Sequence, residues 1–244
     1  MIEFIRPHWP APPTVHALTT TRRGGVSAPP WESFNLGAHV GDDPGAVAEN
    51  RRRLHRAAAL PEAVEWLDQV HGTRIRVPGS DERCADGRFS DRPEEVCAVL
   101  TADCLPILLC NRSGTAVAAV HAGWRGLLAG VVEAALDCFP DDPSAIMAWM
   151  GPAIGPDAFE VGGEVREAFL EEDPGAAPAF RGGRGGRWLA DLYTLARRRF
   201  QRRGVTGIHG GGFCTYQEAG RFFSYRREWT TGRMASLIWL ESGE

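Results

Sequence analysis

Three residues of this chain combine a metal-binding or proton-handling side chain with the same local setting. They are His71 in "QVHG", Cys104 in "TADCLP" and His121 in "VHAGWRG", each where an apolar run meets a turn. Taken singly, a cysteine in an apolar run reads as core and a strand-end histidine as structure. Three of them, each beside glycine, proline or an acid, point to a shared site. Two imidazoles and one thiolate match a zinc site with an open fourth position, whose bound water has a pKa of about 7. The same donor set suits copper. A third reading needs no metal: Cys104 as thiolate nucleophile and His121 as its base.

Anion-binding capacity lies nearby in the sequence. Arg125 follows a glycine and opens a helix, where backbone N–H groups and the dipole favour phosphate. The segment "FFSYRREWTTGR" adds Arg226, Arg227 and Arg233 among aromatic rings. Asn35, in "SFNLG", is placed on a loop where it could read a base or a sugar hydroxyl. Asp103, beside the cysteine, is a candidate proton carrier.

These residues need elements to deliver them. "AVAAVHAGWRG" reads as a strand buried on both faces, then a turn at Gly123, then a helix. "EEVCAVLTADCLPILLC" gives two short apolar strands joined through Asp103-Cys104-Leu105-Pro106, and "EWLDQVHGTRIRVP" an extended segment broken at His71-Gly72. "DDPGAVAENRRRLHRAAAL" is a surface helix with Asp43 as N-cap and Pro44 at its first position. "IMAWMGPAIGP" is a further strand, "GEVREAFLEE" a helix, and "LADLYTLARRRFQRRG" an amphipathic helix stopped by Gly204. The glycine-rich "PGAAPAFRGGRGGRW" reads as a mobile surface loop, and "GIHGGGFCTY", "RFFSYRR" and "ASLIWL" as closing strands and turns. Helices and strands alternate, yet several strands follow one another directly. That pattern favours an α/β or layered α+β domain with mixed sheets.

Composition narrows the function. The 244 residues carry 43% hydrophobic and 24% charged side chains and a formal net charge of -4, so general nucleic-acid affinity is not expected. No lysine occurs, which excludes Schiff-base chemistry and a lysine-type phosphate loop. No signal peptide or membrane-length apolar run is visible, and six scattered cysteines without a C-x-x-C pair suit a reduced cytoplasmic protein.

The motifs "SFNLG", "QVHG", "TADCLP", "VHAGWRG", "GPAIGP…FEVG" and "FFSYRR…TGRMAS" occur in the order of the bacterial laccase-domain family. This YfiH-like group is also called polyphenol oxidase, purine nucleoside phosphorylase or peptidoglycan editing factor. The chain resembles it from about Trp9 to Leu240, leaving no room for a second domain in residues 1–244. The resemblance implies an α/β/β/α sandwich similar to the cytotoxic-necrotising-factor deamidase fold, whose chemistry uses a Cys–His pair. It also implies zinc on His71, Cys104 and His121, phosphorolysis of adenosine, inosine and methylthioadenosine, and hydrolytic deamination of adenosine. The implied partners are a purine nucleoside and phosphate, with no nucleic acid or membrane, for a monomer or homodimer. Family members often carry Tyr where Phe159 stands and Cys where Asp157 stands, neither at a proposed ligand. A cell-wall editing amidase acting on a nucleotide-linked muramyl-serine precursor is the alternative. Copper-dependent laccase activity ranks lower, because seven histidines without a His-x-His pair fit a multicopper oxidase poorly. A metal or nucleotide sensor without turnover is the non-enzymatic reading.

Overall fold

The computed structural model describes residues 2–242. Strands β1 (Phe4–Ile5) and β2 (Val15–Thr20) precede helix α1 (Pro44–Ala58). Five strands follow: β3 (Ile75–Arg76), β4 (Gly87–Ser90), β5 (Cys97–Thr101), β6 (Leu105–Asn111) and β7 (Val117–Ala122). Helices α2 (Trp124–Ala129) and α3 (Val131–Leu136) lead to β8 (Ile146–Met150), β9 (Glu160–Val161) and α4 (Gly163–Glu172). The chain closes with β10 (Phe180–Gly182), β11 (Trp188–Ala190), α5 (Leu192–Arg202), β12 (Gly207–Gly210), α6 (Tyr225–Glu228) and β13 (Met234–Leu240).

Two sheets lie at the centre. One has the order β1-β2-β13-β5, all antiparallel; the other is mixed, in the order β12-β8-β6-β7-β4-β3. Strand alternation sorts their side chains into layers. Leu108 and Cys110 of β6 and Val117 and Ala119 of β7 meet Ala17, Val99 and Ile238 of the opposite sheet. The intervening residues, Ile107, Leu109, Ala118 and Val120, face the helices α2 to α5. On the far side Leu18, Leu100 and Leu237 pack under α1 through Leu54 and Ala58. The result is an α/β/β/α sandwich. Each fully buried leucine or valine in it contributes about 1.5–3 kcal/mol relative to exposure.

Local signals hold where the chemistry is local. Asp43 caps α1 by accepting from the Gly45 and Ala46 amides, and Gly204 takes a left-handed φ of 84° behind α5. Two readings are corrected. The glycine-rich segment is no mobile loop: a short 3-10 turn leads into the β10–β11 hairpin, β11 pairs with β9, and Trp188 and Phe180 are its apolar anchors. Within "RFFSYRR" the Ser224 hydroxyl accepts from the Arg227 amide and starts the single turn α6. The helix after His121 is two helices, divided at Gly130 with φ 97°.

Candidate metal-binding active site

The site lies at the seam between the two central sheets. Strand β5 ends in the four-stranded sheet at Thr101, and Ala102-Asp103-Cys104 carries the chain across to β6 in the other sheet. Strands β6 and β7 are antiparallel with Leu105 opposite Ala122 and Pro106 opposite His121, which brings Cys104 beside the end of β7. His121 has the parity of Val117 and Ala119, so it belongs to the face between the sheets. His71 does not end a strand. It sits in an irregular segment with φ 62°, pinned because the Asp86 carboxylate accepts from the backbone amides of Val70, His71 and Gly72.

Asp86 is fully buried and also accepts from His121 Nδ1 at 2.8 Å. That bond commits Nδ1 and leaves Nε2 of His121 to face its neighbours, as an oriented metal ligand requires. Cys104 Sγ lies 3.7 Å from His71 Nε2, and the two imidazole rings meet edge to face at 4.8 Å. One ligand atom from each of His71, Cys104 and His121 falls within 4.8 Å of the other two. Donors in a tetrahedral zinc site, with bonds of about 2.0–2.3 Å, stand roughly 3.5 Å apart. The donor types and spacing fit that ion.

Electrostatics prepare the thiol. Burial pushes Cys104 up, but the neighbouring His121 and then His71 outweigh it and hold the thiol at about 6. Burial lowers His121, while the Cys104 thiolate and the Asp86 carboxylate outweigh it and raise the imidazole to about 9. Cys97 and Cys110, buried without such partners, are pushed up to about 12. Gly123 protects this arrangement by its size rather than by a special turn. Its φ of -69° suits any residue, but a Cβ there would stand 3.0 Å from both Cys104 Sγ and His71 Cδ2.

The cluster opens into a cavity of about 640 Å³ whose walls include Trp124, Ile154, Phe159, Tyr225 and Trp229. Arg125, Arg226 and Arg233 line it too. Arg125 lies over the Trp124 ring, Arg226 donates to the Glu160 carbonyl, and Arg233 donates to the Thr231 and Gly232 carbonyls. Among the described residues none of these three lies within ion-pair distance of an acid.

Two residues expected to touch substrate are placed elsewhere. Asn35 is fully buried; its amide donates to the Gly37 carbonyl and Asp42 carboxylate and accepts from the Gly37 and Arg233 amides. It shapes the loop that carries Arg233. Arg227 is spent on the Thr215, Tyr216 and Phe222 carbonyls and on Glu228. Asp103 borders the cavity at φ 95°, but one carboxylate oxygen accepts from Thr215 Oγ1 at 2.6 Å and the other from the Arg226 amide at 2.7 Å. Sequence reasoning missed Asp86 and Gln69. Gln69 clamps the end of β5 by bonding both the amide and the carbonyl of Leu100. The only sign of Asp86 was an acid opening the strand "DGRFS".

Residues 16–241 match the family described as multi-copper polyphenol oxidoreductase laccase. The chain belongs to that family. It is 57% identical over 243 residues to the purine nucleoside phosphorylase YfiH of Escherichia coli, covering 98% of this chain and 100% of the relative. A purine nucleoside phosphorylase of Pseudomonas aeruginosa is 54% identical over 244 residues, covering 99% and 100%. Among solved structures, a Neisseria meningitidis protein superposes with a TM-score of 0.93 at 50% identity, over 98% of this chain and 99% of the other. YlmD from Geobacillus stearothermophilus gives 0.89 at 32% identity, over 98% and 96%. The laccase-domain fold expected from the motifs is therefore the fold observed. Among the described residues no helix is long and apolar enough to cross a membrane.

Proposed function

We propose that this chain, acting as one domain, is a zinc-dependent purine nucleoside phosphorylase. It cleaves adenosine, inosine and S-methyl-5'-thioadenosine and also deaminates adenosine hydrolytically. The observation that carries this reading is one cavity holding both the His71–Cys104–His121 donor set and three arginines that have no acidic partner among the described residues. The names of the Escherichia coli and Pseudomonas aeruginosa relatives support it. A metal on these donors supplies a Lewis acid and a source of hydroxide near neutral pH.

The chain's own residues account for the rest. Asp86 holds the Nδ1 proton of His121 and fixes the ring for binding through Nε2. Arg125, Arg226 and Arg233 offer charge-assisted donors to the phosphate that phosphorolysis consumes. In that reaction a phosphate oxygen bonds to ribose C1′ as the bond from C1′ to the purine nitrogen breaks. Trp124, Ile154 and Phe159 give the cavity an apolar wall against which a nucleoside can pack. Zinc suits the site better than a multicopper centre, because one three-donor cluster is found among the described residues.

Zinc-loaded protein incubated with adenosine tests the reading. Adenine and ribose 1-phosphate should form only when phosphate is present, and inosine should form in its absence. A reaction yielding neither adenine nor inosine overturns it. A second reading rests on the acidified thiol: Cys104 attacks directly, and Asp86–His121 serves as its base pair, as an amidase of nucleotide-linked cell-wall precursors would require. Turnover of such a precursor that survives complete chelation but is abolished by alkylating Cys104 would favour it.

A further inference from the structure

Beyond the metal cluster, the cavity mouth carries an indole that the fold does not bury. Trp229 lines the cavity, yet 71% of it is exposed, the largest value among the exposed large hydrophobic residues described. Among the described residues its one aromatic neighbour is Tyr225, itself 48% exposed, at 5.6 Å and an interplanar angle of 65°. Trp229 and Tyr225 together form an exposed aromatic pair on the wall of the cavity, and a contiguous apolar surface placed there marks a ligand-binding groove.

The backbone holds the indole there against its own preference. Trp229 has φ 56° and ψ -54°, a conformation that a bulky side chain rarely adopts. The flanking residues over-determine it. The Glu228 carboxylate accepts from Arg22, Arg227 and Thr231, the Trp229 amide donates to the Tyr225 carbonyl at 2.8 Å, and the Thr230 amide donates to the Glu228 carbonyl at 2.6 Å. Arg22 is fixed in turn over the Phe223 ring. Strain maintained by a network of this kind belongs to ligand clamps and active sites.

We infer that Trp229, supported by Tyr225, is the platform on which the substrate's planar heteroaromatic base stacks. This rests on the phosphorylase reading above and adds to it the residue that holds the base. Aromatic side chains accept any base through its π-face, so the platform recognises the ring while the cations recognise the anion. The two functions adjoin here, since the Arg233 guanidinium lies 6.0 Å from the Tyr225 ring centroid. A nucleoside and a phosphate bound side by side would use both.

Calorimetric titration with free hypoxanthine and, separately, with inorganic phosphate tests the platform without turnover. The proteins compared are zinc-loaded wild type, Trp229→Ala and Trp229→Phe. The expected result is hypoxanthine binding weakened five-fold or more in Trp229→Ala and kept within two-fold in Trp229→Phe, with phosphate affinity unchanged in all three. In steady state, Trp229→Ala should raise KM for inosine and leave kcat in place. Equal hypoxanthine affinity in wild type and Trp229→Ala overturns the platform and leaves the phosphorylase reading standing. Parallel loss of hypoxanthine and phosphate binding also overturns it, by showing a structural role. Wild type that binds hypoxanthine through Trp229 but performs no phosphorolysis overturns the reaction and keeps the platform. Wild type that binds neither hypoxanthine nor inosine overturns both.

Discussion

Asp103 stands next to a metal-ligand candidate, yet each of its carboxylate oxygens already accepts a hydrogen bond, from Thr215 and from the Arg226 amide. Its backbone carbonyl accepts from Ile154 as well. This is the bonding of a residue that holds Cys104 and Arg226 in register, not of a group free to carry protons. Asparagine tolerates positive φ, and the Thr215 hydroxyl can rotate to accept from an amide. Asp103→Asn should therefore keep at least a third of wild-type kcat with an unchanged pH profile, whereas Asp103→Ala should lose ten-fold or more and bind zinc more weakly. Steady-state kinetics and metal analysis check both, and an inactive but folded Asp103→Asn would restore the proton-carrier role. Gly123 makes a complementary case. Its backbone accepts alanine, so Gly123→Ala should leave the urea midpoint nearly unchanged, but the new methyl would press on Cys104 and His71. Zinc affinity should fall at least ten-fold, measured by competition with a chromophoric chelator. At this scale the sequence was legible where residue type alone marks a candidate ligand, as for His71, Cys104 and His121, which the fold brings within 4.8 Å of one another. Asp86 was not legible, because its bonds to residues 15 and 35 positions away exist only in the folded chain. Asn35 and Arg227 misled because polar side chains near a site look alike until their partners are known.

At the level of elements, reading was accurate for periodic segments and failed at glycine-rich ones. The buried run of β7 and the capped helix α1 announce themselves by pattern. The β10–β11 hairpin did not, since its glycines hide a pairing that depends on β9. Nor did the sequence show that β5 and β6 belong to different sheets, a fact of topology that no local pattern encodes. The break between α2 and α3 gives an element-scale test. Gly130 adopts φ 97° and ψ 32°, where a side chain is strained although no backbone stands nearby to clash. Gly130→Ala should cost about 1–2 kcal/mol, read as a lower urea midpoint, while zinc binding and turnover stay within two-fold of wild type. Loss of activity without loss of stability would mean that the break positions Arg125 rather than merely turning the chain.

For the whole molecule, the site's address matters more than its contents. His121 belongs to one central sheet, and Cys104 ends the short crossing from the other. A ligand that binds only the folded form stabilises it by about 2.7 kcal/mol at a hundred-fold excess over Kd. For a chain of this size each kcal/mol moves Tm by about 2–4 °C. Zinc should thus raise the Tm of wild type by roughly 5–10 °C and that of Cys104→Ala by less than 2 °C, as followed by calorimetry; Cys110→Ala should respond like wild type. A shift of equal size in Cys104→Ala would place the stabilising ion elsewhere. The register of the six-stranded sheet also carries a temporal meaning. Cys104 directly precedes β6, His121 lies in β7 and His71 is pinned to Asp86 just ahead of β4, so a refolding chain acquires the donor set when these three neighbouring strands have paired. Cobalt supplied during refolding would then act as a clock: its thiolate absorption band marks the instant at which that part of the sheet closes, and catalytic competence cannot precede that signal.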